Sequence, residues 1–111
     1  MSEEILFREI KQGVIAWIKN QEDVLKERGV QLEEMENQES GYRIGLDFLN
    51  CIAEITVNQP EFAPYRFISI QILSLKEELN EPIYVWYDKE GDDLTVIYNK
   101  LNDTIDFALN Y

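Results

Sequence analysis

The stretch YRIGLDFLNCIAEITV, residues 42–57, decides the fold of this chain. Apolar side chains occupy every second position on either side of a break at Leu49-Asn50: Tyr42, Ile44, Leu46 and Phe48 before it, and Cys51, Ala53, Ile55 and Val57 after it. A period of two is typical of half-buried strands, and so short a connection makes two strands antiparallel. The stretch therefore predicts a β-hairpin with one apolar side.

Further strands extend this hairpin in both directions. Residues 65–75 and 83–88 repeat the alternation, and residues 30–36 form a poorer strand that a turn at 37–41 joins to the hairpin. Pro60 and Pro64 bracket a loop that cannot continue a β-ladder. Because the connections are short, we expect an antiparallel meander of four to five strands.

A helix precedes the strands and another follows them. Residues 3–27 place apolar side chains at three- and four-residue spacing, and Gly29 marks the end of this helix. Asp92 or Asp93 suits the start of a second helix, which runs almost to Tyr111. Each helix has one apolar stripe and must cover a sheet face. We expect an α+β fold in a single domain, residues 1–111, with both helices on one sheet face and the other face partly open to water.

The charge balance is strongly acidic. The chain has 22 acidic residues, ten basic residues and no histidine, for a formal net charge of −12. Such a charge repels nucleic acid and anionic membrane and attracts a basic protein. It also aids solubility, which is the simpler explanation. No apolar run approaches the ~20 residues of a transmembrane helix, and residues 1–4 do not resemble a signal peptide. We therefore expect a cytoplasmic protein.

The residue types offer little catalytic chemistry. Without histidine there is no Ser-His or Cys-His pair, and Cys51 suits a small core residue. Four acids surround Gly91, at positions 88, 90, 92 and 93, but their spacing matches a calcium loop only loosely. We interpret them as a helix cap and solvated acids. The sequence predicts no enzyme, no cofactor and no metal site.

Aromatic residues suggest a binding surface instead. If Ile68, Ile70 and Ile72 face the helices, Tyr65 and Phe67 face outward. If Val85 and Tyr87 face inward, Tyr84 and Trp86 face outward. Rings among polar groups are typical of a protein-binding patch. The predicted partner-binding residues are Asp47, Glu54, Tyr65, Phe67, Tyr84 and Trp86. The alternative is that an overhanging loop or a dimer partner simply buries these rings.

The first half of the chain resembles a known family. Trp17-Ile18, the ERGV of residues 27–30 and the LDFLNCIAEITV of residues 46–57 are similar to the TriTu immunity family of bacterial polymorphic toxin systems, over about residues 10–58. After Val57 the chain departs from that family, which tends to place a Trp and Glu-Gly where this chain has Asn58-Gln59-Pro60. The resemblance implies a protein that binds and neutralises a cognate toxin in the producer's cytoplasm, with no catalytic residues.

The charge pattern and the resemblance lead to the same hypothesis. An immunity protein, monomer or dimer, would bind a basic toxin domain by non-catalytic protein-protein contact. The alternative is a small acidic protein like the secretion chaperones, which hold effectors through an apolar surface, usually as dimers. A small-molecule enzyme or ligand-binding domain would need a concave pocket with convergent polar groups, of which the sequence gives no sign.

Overall fold

The computed structural model describes residues 3–59, 65–78 and 81–111. In chain order its elements are α1 (Glu3–Glu27), β1 (Gln31–Gln38), β2 (Gly41–Asp47), β3 (Cys51–Asn58), β4 (Ile68–Ser74), β5 (Tyr84–Tyr87) and α2 (Leu94–Asn110). The strands pair in the order β1-β2-β3-β4-β5, each antiparallel to the next. The predicted α+β fold with a meander between two helices is confirmed. The predicted loop between Pro60 and Pro64 lies outside the described residues.

Both helices pack on the same side of the sheet. The Tyr98 hydroxyl of α2 donates to the Gly13 carbonyl of α1 at 3.3 Å, and the Cys51 thiol of β3 lies 3.7 Å from the carbonyl oxygen of Ala108 in α2. The inward residues of β3, namely Cys51, Ala53, Ile55 and Val57, are all 0% exposed, whereas the residues between them stay partly exposed. One sheet side is therefore the helix-covered side, and the other is open, as predicted.

The core is a layer of aliphatic side chains between sheet and helices. Ile44, Ile55 and Ile70 are neighbours across β2, β3 and β4, and all three are buried. Burying one such side chain contributes about 1.5–3 kcal/mol, so this row stabilises the centre of the sheet. The period of two in residues 42–57 places these side chains there.

The first strand is longer than predicted. β1 continues to Gln38, and only Glu39 and Ser40 connect it to β2, so the turn predicted over 37–41 is present but is confined to these two residues. The β1–β2 register shifts between Glu34 and Glu36. Such a bulge puts two residues of one strand opposite one of its partner and breaks the alternation. The bulge, rather than an end of the strand, explains why apolar and polar residues do not alternate regularly in this segment.

The end of α1 follows its sequence signal. Gly29 has a φ of 82°, a left-handed conformation that glycine adopts at little cost. The Val30 N–H then donates to the Leu25 carbonyl at 2.9 Å. This turn reverses the chain into β1 and sets α1 against the sheet.

Candidate protein-binding surface

The register of β5 reverses the predicted orientation of its aromatic residues. Trp86 pairs with Ile70 and Tyr84 with Ile72, and residues paired across a ladder share a sheet face. Tyr84 and Trp86 therefore lie half-buried on the helix-covered side. The Tyr84 ring contacts that of Phe107 in α2, with centroids 5.1 Å apart. The prediction that Tyr84 and Trp86 face outward is wrong.

The outward side of β5 belongs to Val85 and Tyr87 instead. These two side chains are 44% and 41% exposed. Every residue of β5 is apolar or aromatic, so the period of two does not tell one side from the other. The register of β5 against β4 decides the matter, and the sequence pattern does not reveal that register.

Phe67 also lies inside rather than on the open side. It is 2% exposed, and its ring centroid lies 5.8 Å from that of Phe7 in α1. Phe67 and the next residue, Ile68, are both buried, which regular strand alternation does not allow. The irregularity precedes β4, which begins at Ile68 rather than at Tyr65. The outward prediction for Phe67 is wrong because it assumed a regular strand there.

A buried carboxylate holds this irregular segment. Asp88 Oδ1 accepts the backbone N–H groups of Arg66, Phe67 and Ile68, each at 2.9 Å, and Asp88 is 1% exposed. Three amides on one carboxylate oxygen give charge-assisted hydrogen bonds, which are the stronger kind. Asp88 is thus a structural residue, and interpreting it as a solvated acid was wrong.

Two of the other acids near Gly91 accept backbone hydrogen bonds in and next to the loop before α2. Asp93 is the N-cap of α2 and accepts the Val96 N–H at 3.0 Å, as predicted. Asp92 accepts the Lys89 N–H at 2.9 Å. Across residues 3–59, 65–78 and 81–111, no three acidic or cysteine side chains gather as metal ligands.

The remaining predicted residues do lie on the open side. Tyr65 stacks on Tyr87, with centroids 5.6 Å apart and ring planes at 20°. Asp47 is exposed at the end of β2. Glu54 is partly buried, and its carboxylate lies 3.1 Å from Arg43 Nε. Of the two predicted acids, Glu54 already has a cationic partner on its own surface.

The open side has two halves of different character. On the β1–β2 half, the Arg43 guanidinium lies 3.8 Å from the Met35 sulfur, and Met35 packs over Gly45, where an added Cβ would meet its methyl carbon at 3.1 Å.

On the other half of the open side lies what we call the apolar patch, formed by Ile52, Leu73, Val85, Tyr87 and Tyr65. Leu73, Val85 and Tyr87 are 40%, 44% and 41% exposed. The sequence pattern pointed to this sheet side but selected the wrong β5 residues.

A hollow of about 500 Å³ adjoins the apolar patch at one end. Ile52, Leu73 and Leu75 form its apolar floor, and Ser74, Lys76, Glu77, Glu78 and Glu81 complete its wall. Lys76 Nζ lies 4.0 Å from the centre of the Tyr111 ring and donates to the Tyr111 carbonyl at 3.1 Å. Three glutamates against this one lysine leave this end of the patch with net negative charge.

Two buried groups on the helix-covered side have displaced pKa values. Burial raises the pKa of the Cys51 thiol, which keeps it protonated and unreactive. Burial, reinforced by Glu34 and Glu22, raises the pKa of Tyr42 to about 12. Both belong to the core and neither is part of the apolar patch.

In the part of the chain that the structure describes, neither helix is apolar enough over a sufficient length to cross a membrane.

The comparisons with known proteins identify no relative. No protein-family model, curated protein or solved structure matches this chain. The resemblance to the TriTu immunity family over residues 10–58 stays a prediction, and the open side of the sheet is the feature from which a function can be inferred.

Proposed function

We propose that this chain is an immunity protein that binds a basic bacterial toxin domain in the cytoplasm and neutralises it without catalysis. One observation carries the proposal: exposed Leu73, Val85 and Tyr87 lie together on the open side of a domain with a net charge of −12. Contiguous apolar surface on a polar domain is typical of a protein interface.

The charge and the apolar surface serve different steps of binding. A negative field accelerates the encounter with a basic partner, and buried apolar contacts slow its dissociation. The same field opposes binding to nucleic acid or anionic lipid. A protein that must block a basic toxin quickly and hold it needs both properties.

The open side supplies a large part of a standard interface. Four strands of seven or eight residues and one of four, at ~3.4 Å per residue and about 4.8 Å apart, give a flat area of roughly 550 Å². A standard interface uses about 800 Å² of accessible surface on each partner, so a partner that covers this side would also contact its rim.

Growth rescue tests the proposal. The toxic C-terminal domain of a large secreted protein encoded beside this chain should arrest growth when expressed alone. Co-expression of this chain should restore growth, and the two proteins should elute as one 1:1 complex by light scattering. A variant of the chain with the core disrupted by Leu101→Asp, a buried position in α2, is the negative control.

Two outcomes would contradict the proposal. Growth arrest that persists despite a soluble, folded chain would exclude neutralisation. A dimer of this chain that holds the other protein while its toxicity remains would favour the secretion-chaperone alternative.

A further inference from the structure

We propose that the apolar patch is the docking surface and that its occupant is a basic protein segment with apolar side chains set between lysines or arginines. The identity of that protein as a toxin rests on the proposed function. The location of the surface and the chemistry of its occupant rest on the arrangement of β3, β4 and β5.

The centre of the patch carries no charged side chain. Ile52 lies directly opposite Leu73, and directly paired residues have Cβ atoms about 4.5–5.5 Å apart. On the next strand Val85 faces Gln71 and Tyr87 faces Ser69. The polar residues inside the patch are therefore neutral, and a partner can exclude water there without burying an unpaired charge.

The rim of the patch is negative. Glu77, Glu78 and Glu81 line the hollow beyond Leu73 and Leu75. On the β1–β2 half of the same side, Arg43 pairs with Glu54, and exposed Asp47 lies directly opposite Ile52, so an acid borders the patch there too. An apolar centre with an acidic rim complements a segment whose apolar residues are flanked by bases.

Charge disfavours two other occupants. A second copy of the chain carries the same net charge of −12, and like charges across an interface are destabilising. Nucleic acid would bring phosphates to the same carboxylates. A basic protein segment is the occupant that the charges favour.

Two exposed valines of the helices lie outside the patch. Val24 and Val96 are 53% and 36% exposed, and each lies on a different helix. Single exposed aliphatic residues are normal on protein surfaces. They provide matched controls for the patch, because the same substitution can be made at a similar exposure on the helix-covered side.

Affinity measurements with the neutralised toxin domain test the location. Val85→Ser and Tyr87→Ser should each weaken binding at least about tenfold, as expected for central interface residues. Val24→Ser and Val96→Ser should change it less than about twofold, since exposed positions outside an interface contribute little. Unfolding curves must show that all four variants fold. Loss of affinity in the helix variants with full affinity in the patch variants would overturn the location.

One further variant separates the patch from the end of the sheet. Leu49 is 92% exposed at the β2–β3 hairpin tip, and it lines another hollow with Leu75 and Asp47. Leu49→Ser should leave affinity within about twofold. If Leu49→Ser alone abolishes binding, the docking surface is the hairpin end and the proposal is wrong.

A peptide titration keeps the test independent of the toxin. A short peptide of alternating lysine and leucine should shift the methyl NMR signals of Ile52, Leu73 and Val85, while an all-lysine peptide of equal length should not shift them selectively. Shifts confined to helix methyls, or a dimer of the chain that Val85→Ser dissociates, would overturn the proposal. If the peptide binds the patch but no toxin is neutralised, the docking surface stands and the immunity function fails.

Discussion

Trp86 lies opposite Ile70 in the β4–β5 ladder, and this pairing places alternate residues of β5 against the core and on the open side of the sheet. Trp86 packs against the edge of the core, while its neighbours Val85 and Tyr87 face outward. Substitutions of Trp86 should therefore affect the stability of the fold, whereas substitutions of Val85 and Tyr87 should affect binding.

Trp86→Ala should destabilise the fold, whereas Val85→Ser should not. A truncated aromatic residue at the core costs about 3–5 kcal/mol when fully buried, and about half of that at this half-buried position. An exposed residue outside such contacts usually changes stability by about 0.5 kcal/mol or less. Urea unfolding measures both variants, and an equal loss of stability would contradict the face assignment.

Asp88→Ala should be among the more damaging substitutions of an acidic residue. It leaves the N–H groups of Arg66, Phe67 and Ile68 without the oxygen that they share, and hydrogen bonds to charged groups contribute about 1.5–3 kcal/mol each. We expect a loss of about 3 kcal/mol or more, with a smaller loss for Asp88→Asn, which keeps an acceptor oxygen. Asp103→Ala, at an exposed position of α2, is the control and should change stability by less than about 0.5 kcal/mol. Equal unfolding midpoints for Asp88→Ala and Asp103→Ala would disprove this role.

Gly13 should tolerate enlargement poorly although it lies inside a helix. Replacing a helix glycine by alanine ordinarily stabilises by about 1 kcal/mol. Here an added Cβ would lie 2.7 Å from Leu94 Cδ2 and 3.0 Å from the Tyr98 hydroxyl oxygen, so these two side chains of α2 must shift. We expect Gly13→Ala to lose most of that gain and Gly13→Val to be destabilising. A thermal melt in which Gly13→Val is more stable than the natural chain would contradict the α1–α2 contact.

Stability should fall with rising pH in a window set by Tyr42. Its folded-state pKa is about 12, above the ~10 of an unfolded tyrosine. Between these values the folded chain keeps a proton that the unfolded chain has lost. The contribution of Tyr42 to the free energy of unfolding is therefore complete below pH ~10 and is lost as the pH rises through ~12. Tyr42→Phe cannot titrate and should show a shallower decline in this window. Parallel pH profiles for the two proteins, measured by urea unfolding, would refute the assignment.

Much of the fold was predictable because its signals are local. The alternation in residues 42–57, the helical period of residues 3–27 and the Asp93 cap each depend on near neighbours in sequence. The bulge at Met35, the three amides on Asp88 and the register of β5 depend on contacts between distant residues. Tyr84, Trp86 and Phe67 were therefore assigned to the wrong side, whereas Asp47, Glu54 and Tyr65 were correctly placed on the open side.

Methyl NMR of the chain in complex with its basic partner is the decisive test of where the partner binds. We predict that the Ile52, Leu73 and Val85 methyl groups become less accessible to a soluble paramagnetic probe when the partner binds, while those of Val24 and Val96 stay accessible. Protection of the helix methyls with the sheet methyls still accessible would show that the partner binds the other side, and would contradict the proposed docking surface.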